Sequence, residues 1–138
     1  MSPEDFLARY AAAFASGEPA TVATFFADPV HVVGETGGDP DVTCVERDDW
    51  LRILDRLVGA YRRLGVFRAE LRSLEVSRLG DGVQVAAVAW ALAREDGSPI
   101  YDFEATYTLV ASLDGPRITA IAHNETPKLM AALGDEAR

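Results

Sequence analysis

The chain has few of the features that mark secreted or membrane-spanning proteins. A single cysteine, Cys44, excludes an intramolecular disulfide and fits a reducing compartment. The longest apolar runs, such as Val85–Leu92, are far shorter than the roughly 20 residues that a membrane-spanning helix needs. The first residues contain no basic region followed by an apolar block, which predicts no secretory signal. We therefore expect a cytoplasmic protein without membrane contact.

Basic residues are scarce as well, with 13 Lys and Arg against 22 Asp and Glu and a net charge of −9. Phosphate backbones are bound by clustered basic side chains, so this balance argues against a nucleic-acid partner. The two histidines, His31 and His123, have no Cys or carboxylate at the spacing of a zinc site. Glycine-rich nucleotide loops, a serine nucleophile elbow and a His-Glu-x-x-His motif are all missing. The sequence thus predicts no metal and no cofactor.

The chain does have enough apolar material for one domain, which we take to span residues 1–138. The length and the 49% hydrophobic content suffice for a packed core. The most apolar part, Val83–Glu125, is typical of three strands joined by turns at Asp96-Gly97 and Asp114-Gly115. The first two of these strands are apolar on both faces. This pattern predicts that one face of the sheet meets helices and that the other meets a second copy of the chain.

Periodicity and capping signals predict the remaining elements. They are helices at about 3–15 and 19–26, strands at 30–34 and 42–46, a helix between Asp48 and Gly65, a strand at 66–78 and a short C-terminal helix at about 127–133. The predicted order is α-α-β-β-α-β-β-β-β followed by the short helix. Helices that precede a run of strands indicate an α+β fold, with the helices on one side of an antiparallel sheet.

Two segments near the N-terminus resemble a known superfamily. They are Phe6–Gly17, which reads FLARYAAAFASG, and Val22–Asp28, which reads VATFFAD. Together with the order of elements, they resemble the nuclear transport factor two-like superfamily over roughly the whole chain. That group includes ketosteroid isomerases, SnoaL-like polyketide cyclases, scytalone dehydratase, limonene epoxide hydrolase and many proteins without an assigned function. The resemblance implies a cystatin-like α+β cone, in which a strongly curved antiparallel or mixed sheet of about six strands wraps around a long N-terminal helix.

The resemblance further implies a mostly apolar pocket at the open end of the cone and a homodimer through the outer face of the sheet. It also allows a comparison with the isomerase branch. Tyr10 matches the oxyanion-hole tyrosine of that branch, whereas the position of its base falls near Gly34 and that of its second donor falls within Thr106–Thr108. Isomerase chemistry needs a carboxylate base and a neutral acid, and the chain lacks both at the expected places.

The residues predicted to bind a ligand are aromatic or large apolar side chains of helix 1, helix 3 and the central strands. They are Tyr10, Phe14, Trp50, Leu54, Trp90 and Tyr107. Each also fits a structural place in the core, since buried tyrosine and tryptophan side chains supply large apolar area and find partners for their polar atoms. Periodicity alone does not separate these two interpretations.

The candidate catalytic residues are His123, Asp102 and Tyr10. His123 and Glu125 are two residues apart and share one face of the predicted last strand. They form either an acid–base pair or a surface pair at the end of the sheet. Asp102 and Glu104 share the face opposite the aromatic residues of their strand, so they lie outside the cone if those aromatic residues line it. If the faces are inverted, the two acids enter the pocket, and periodicity does not decide between these cases because both faces of the neighbouring strand are apolar.

The function predicted first is the binding of a small hydrophobic molecule in an apolar pocket. The first alternative is an enzyme of the polyketide cyclase, isomerase or dehydratase type, with His123 or Asp102 as the acid–base group and Tyr10 as a hydrogen-bond donor. The second alternative is a structural dimerisation module with a filled cone. An enzyme needs an ionisable side chain inside the cavity, and a binding protein needs a cavity of roughly a few hundred Å³.

Overall fold

The structure is a computed structural model that describes residues 1–136. Within these residues the elements are α1 (Pro3–Ala15), α2 (Pro19–Ala23), β1 (Phe26–Thr36), β2 (Asp39–Val45), α3 (Arg47–Leu64), β3 (Arg68–Arg78), β4 (Val83–Ala93), β5 (Pro99–Val110), β6 (Arg117–His123) and α4 (Glu125–Glu136). The predicted order of helices and strands is confirmed. None of the helices in this part of the chain is long and apolar enough to cross a membrane.

The six strands form one curved mixed sheet in the order β2-β1-β6-β5-β4-β3. The pairing of β1 with β6 is parallel and all other pairings are antiparallel. Four of the five pairings contain a shift in register, as between Leu71 and Ser73 in β3. Such irregularities bend strands and increase their twist, which explains the curvature of the sheet. The predicted α+β fold with six strands is therefore confirmed.

Helices α1 and α3 supply the apolar residues that cover the concave face of the sheet. The N-terminus of α1 is capped by Ser2, whose Oγ accepts a hydrogen bond from the backbone N–H of Asp5 at 3.1 Å. Helix α3 ends at Gly65, which has a positive φ of 74°. On the sheet side, alternate residues of β4 and β5 face these helices, including the buried Trp90 and Tyr107. The core thus lies between the two helices and the concave face.

The opposite, outer face of the sheet carries small or polar side chains. Ala87, Thr106 and Ala122 are neighbours in register on β4, β5 and β6, and all three are exposed. Asp102 and Glu104 are exposed on the same face of β5. The aromatic residues of β5 therefore point inward and its acidic residues point outward, which is the orientation favoured by the sequence pattern.

Several element boundaries differ from the predicted ones because of contacts between distant segments. Helix α2 ends at Ala23 rather than at Phe26, and Phe26 is instead the buried first residue of β1. The guanidinium group of Arg47 donates to the carbonyls of Ala23 at 2.6 Å and of Phe26 at 2.8 Å. Helix α3 begins at Arg47, not after Asp48, and the backbone N–H of Arg47 donates to Asp28 Oδ1 at 2.9 Å. These long-range bonds fix both helix ends.

The hairpin of β1 and β2 is longer than predicted, and the last strand is shorter. Both hairpin strands extend into residues 35–41, which separate the two predicted strands, and they meet at Gly37 and Gly38, which have positive φ values of 61° and 88°. Strand β6 ends at His123 and Glu125 starts α4, two residues before the predicted start of the C-terminal helix. Glu125 therefore belongs to a helix and not to the last strand.

Candidate functional site

A large cavity lies between α1, α3, α4 and the concave face of the sheet. Its volume is about 1210 Å³, which exceeds the roughly 300–1,000 Å³ common for small-molecule pockets. All six predicted ligand-binding residues line it: Tyr10, Phe14, Trp50, Leu54, Trp90 and Tyr107. Leu129, Met130 and Leu133 of α4 line it as well. The C-terminal helix thus forms part of the wall of the cavity.

The deep part of the cavity is built around Tyr10. Its ring packs edge-on against Phe14, Phe26 and Tyr107, with centroid distances of 5.2, 5.7 and 5.6 Å. The hydroxyl of Tyr107 accepts a hydrogen bond from Trp90 Nε1 at 2.9 Å. Burial raises the pKa of the Tyr10 and Tyr107 phenols, so both stay neutral over the physiological range. This aromatic cluster supplies shape and apolar surface.

A different part of the cavity wall contains Glu125, which is only 8% exposed and is the one charged side chain buried in residues 1–136. Its Oε2 accepts hydrogen bonds from the hydroxyl of Tyr61 on α3 and from that of Tyr101 on β5, the latter at 2.7 Å. Burial raises the pKa of the Glu125 carboxyl, and the two phenol hydrogen bonds oppose that rise. Three separate elements therefore fix the position of one carboxyl group.

The second carboxyl oxygen of Glu125, Oε1, accepts no hydrogen bond from the residues that the structure describes. It is also not sealed inside the protein. In residues 1–136, Trp50 Nε1 is the only side-chain polar atom that is both inaccessible and without a hydrogen-bond partner. Since Glu125 lines the cavity, Oε1 is available to a molecule in it.

His123 lies at the end of β6 and lines the same cavity. Its Nδ1 accepts a hydrogen bond from the backbone N–H of Glu125 at 3.1 Å. A ring nitrogen that accepts carries no proton, so the neutral imidazole has its proton on Nε2. Burial lowers the pKa of His123, which favours this neutral form. The ring edge faces Gly34, where a Cβ would lie 3.5 Å from Nε2, so the missing side chain leaves this edge open.

The remaining candidates from the sequence lie elsewhere. Asp102 and His31 are exposed on the outer face of the sheet and do not line the cavity. The interpretation of His123 and Glu125 as a surface pair at the end of the sheet is wrong, because Glu125 is buried. Nor do they share a strand, since Glu125 starts α4, yet both line the cavity. In the described part of the chain, no three His, Cys, Asp or Glu side chains are grouped so that they could hold a metal ion.

Sequence reasoning missed the two tyrosines that bind Glu125. Tyr61 lies on the apolar stripe of α3, and Tyr101 lies on the inward face of β5, so both were identifiable as inward-facing residues. Their meeting with Glu125 depends on where β6 ends and α4 begins. No periodic pattern marks that point, because Glu125 continues the alternation of β6.

Comparison with known proteins assigns the chain to a family. Residues 3–126 match the model of a family described as NTF2-like protein (DUF6841). The chain belongs to this NTF2-like family. The matched segment contains His123 and Glu125 but stops in the first turn of α4. Among curated proteins, none is significantly similar to the chain in sequence.

Solved structures of other NTF2-like proteins have the same fold. An NTF2-like protein with a cystatin-like fold from Novosphingobium aromaticivorans has a TM-score of 0.67 at 15% identity, over 94% of this chain and 84% of that one. An NTF2-like protein of unknown function from Shewanella oneidensis has a TM-score of 0.64 at 13% identity, over 87% of this chain and 93% of that one. A protein from Shewanella frigidimarina, described as a candidate ketosteroid isomerase, has a TM-score of 0.64 at 18% identity, over 87% of this chain and 92% of that one. At these identities the likeness shows the fold alone.

Proposed function

We propose that this NTF2-like protein binds a small, largely apolar molecule in the cavity between its helices and the concave face of the sheet. The observation that carries the proposal is a cavity of about 1210 Å³ with a mainly aromatic and aliphatic wall. Such walls supply binding free energy through burial, and a few polar groups orient the ligand. A cone packed solid would have favoured the structural module instead.

The proposal is tested with the neutral fluorescent probe N-phenyl-1-naphthylamine. Saturable binding at micromolar concentration is expected. Val32 lines the cavity from β1, so Val32→Phe fills space that the probe uses and weakens its binding about tenfold. The adjacent Val33 is not part of the cavity wall, so the matched variant Val33→Phe leaves the affinity within about twofold. An absence of saturable binding, or equal effects of the two variants, would contradict the proposal.

The second candidate is an acid–base enzyme of the cyclase, isomerase or dehydratase type. The observation that favours it is the presence of two titratable side chains, His123 and Glu125, on the cavity wall. Asp102 no longer supports this candidate, because it is exposed outside the cavity. The likeness in fold to the candidate ketosteroid isomerase agrees with it. Turnover of apolar ketones, epoxides or alcohols that is lost in Glu125→Gln would establish it.

We further propose that the protein works in the cytoplasm as a homodimer formed through the outer face of the sheet. Cys44 is free and exposed, which suits a reducing compartment. The exposed row of Ala87, Thr106 and Ala122 in the middle of the outer face is small and uncharged, so another sheet can approach it closely. Cell fractionation tests the compartment, and sedimentation velocity tests the assembly.

A further inference from the structure

We propose that Glu125 Oε1 and His123 Nε2 form a polar site in the cavity wall that binds a hydroxyl group, so that the ligands of this protein are apolar alcohols or phenols. This inference rests on the proposed ligand-binding function of the cavity and adds the chemical class of the ligand. It uses two atoms that form no hydrogen bond within residues 1–136.

The first half of the site is a fixed hydrogen-bond acceptor. Tyr61 and Tyr101 both donate to Oε2 of Glu125, one from α3 and one from β5, so the carboxyl group cannot turn freely. Oε1 is then presented to the cavity without a partner from the described residues. An unpaired acceptor in apolar surroundings binds a donor strongly, because little water competes for it.

The second half is a hydrogen-bond donor with a defined proton. The backbone N–H of Glu125 donates a hydrogen bond to Nδ1 of His123, which leaves Nε2–H as the free donor of the ring. The space in front of this edge is open because residue 34 is glycine. Glu125 thus contributes an acceptor through its side chain and fixes the donor through its backbone.

A molecule that satisfies both atoms must donate to one and accept from the other. A hydroxyl does both with a single oxygen. An ether oxygen accepts only and leaves the carboxylate without a donor, and an ammonium group donates only and leaves Nε2–H without an acceptor. A ligand carboxylate accepts only, so it also leaves Glu125 Oε1 without a donor. A buried group without a partner costs binding free energy, so the site discriminates against all three.

The wild-type protein is titrated by calorimetry with 2-naphthol, 2-methoxynaphthalene, 2-naphthamide and 2-naphthylmethylammonium, which share one apolar body. The expected result is that 2-naphthol binds about 10–100-fold more tightly than 2-methoxynaphthalene, because the ether leaves a buried acceptor without a donor. Similar affinities for these two, or tighter binding of the amide or the ammonium compound, would overturn the hydroxyl site and leave the proposed function intact. No binding of any of them would overturn both.

Matched variants test whether Glu125 and His123 cause the preference for a hydroxyl group. Glu125→Gln and His123→Gln are expected to reduce the naphthol-to-methoxynaphthalene affinity ratio to about threefold or less, since each leaves one hydrogen bond unmade. Glu104→Gln and His31→Gln change the same residue types on the outer face and keep the wild-type ratio. The ratio compares two ligands on the same protein, so a loss of overall stability does not alter its meaning.

Gly34→Ala gives an independent test without removing any polar group. The added methyl group would lie in ordinary contact with the imidazole, 3.4 Å from Cε1 and 3.5 Å from Nε2, and would cover the open ring edge. The affinity ratio is expected to fall in this variant as well. If Glu125→Gln does not fold, Gly34→Ala and His123→Gln decide the question, and an unchanged ratio in both would exclude the proposed site.

Discussion

Burial and hydrogen bonding shift the pKa of the Glu125 carboxyl in opposite directions. Burial disfavours its carboxylate form, whereas the hydroxyls of Tyr61 and Tyr101 favour it, and the net effect is a raised pKa. A carboxyl whose pKa is higher in the folded than in the unfolded protein adds stability below the unfolded value, and this stability is lost as pH rises through the folded value. Glu125 therefore lowers stability at neutral pH relative to acidic pH.

Glu125→Gln removes this titration. The free energy of unfolding of the wild type minus that of Glu125→Gln is expected to fall as pH rises above the ordinary value of 4.5. The slope approaches about 1.4 kcal/mol per pH unit at most and vanishes above the folded pKa. Urea unfolding of both proteins at several pH values measures this slope. His123 titrates in both proteins and largely cancels. A difference that grows with pH would contradict the raised pKa.

The two tryptophans differ in one respect that mutagenesis can detect. Trp90 and Trp50 are 3% and 6% exposed, but Trp90 Nε1 donates to Tyr107 whereas Trp50 Nε1 has no partner among the described residues. Replacement by Phe removes similar volume in each case. Trp90→Phe also breaks a buried hydrogen bond, and Trp50→Phe removes an unpaired donor. We expect Trp90→Phe to be the more destabilising by about 1–3 kcal/mol, measured by urea unfolding. The reverse order would show that the hydrogen bond contributes nothing.

At the level of single residues, the sequence was informative about burial and uninformative about partners. Helical spacing identified Tyr10 as part of an apolar stripe, and the aromatic side of β5 with Tyr107 was favoured as inward-facing, but both faces of β4 are apolar, so alternation did not decide the direction of Trp90. The partners of Glu125 could not be predicted, because Tyr61 and Tyr101 are 64 and 24 residues away in sequence. Only the packing of α3, β5 and α4 brings the three side chains together.

At the scale of elements, two glycines have opposite roles in α3, one inside the helix and one directly after its last residue. Gly65 ends the helix with a φ of 74°, a conformation that other residues adopt at a cost. Gly59 lies inside the helix, and a Cβ there would meet no atom within 4 Å. Gly65→Ala is expected to destabilise the protein by about 1 kcal/mol, and Gly59→Ala to stabilise it by about 0.5–1 kcal/mol. Thermal unfolding of both variants measures this, and shifts of the same sign would contradict the assigned roles.

The element boundaries show where local signals end and tertiary contacts take over. Ser2, Pro3 and Gly65 acted through local capping and backbone preferences, and the helix ends that they mark, the start of α1 and the end of α3, were predicted correctly. The end of α2 and the start of α3 depend instead on the bonds that Arg47 makes with Ala23, Phe26 and Asp28. Contacts of this range leave no periodic mark in the sequence, so both boundaries were predicted incorrectly.

At the scale of the whole molecule, the outer face of the sheet decides the proposed assembly. In a twofold dimer the same patch of both copies meets itself, so the row of Ala87, Thr106 and Ala122 would lie against its own counterpart. Small uncharged side chains allow this approach, and the two acidic residues Asp102 and Glu104 lie along the same strand, beyond the row. Each copy carries a net charge of −9, so higher salt should strengthen the dimer by screening the repulsion between them.

Sedimentation velocity tests this assembly directly. The wild type is expected to sediment at twice the 14.9 kDa of one chain at micromolar concentration. Thr106→Arg places two like charges against each other across the twofold axis and should yield a monomer that remains folded, because Thr106 is exposed in the single chain. Leu113→Arg, a matched change at the fully exposed turn between β5 and β6, should leave the dimer intact. If the wild type sediments as a monomer, or if Thr106→Arg still forms a dimer, the outer face is exposed to solvent and is not the dimer interface.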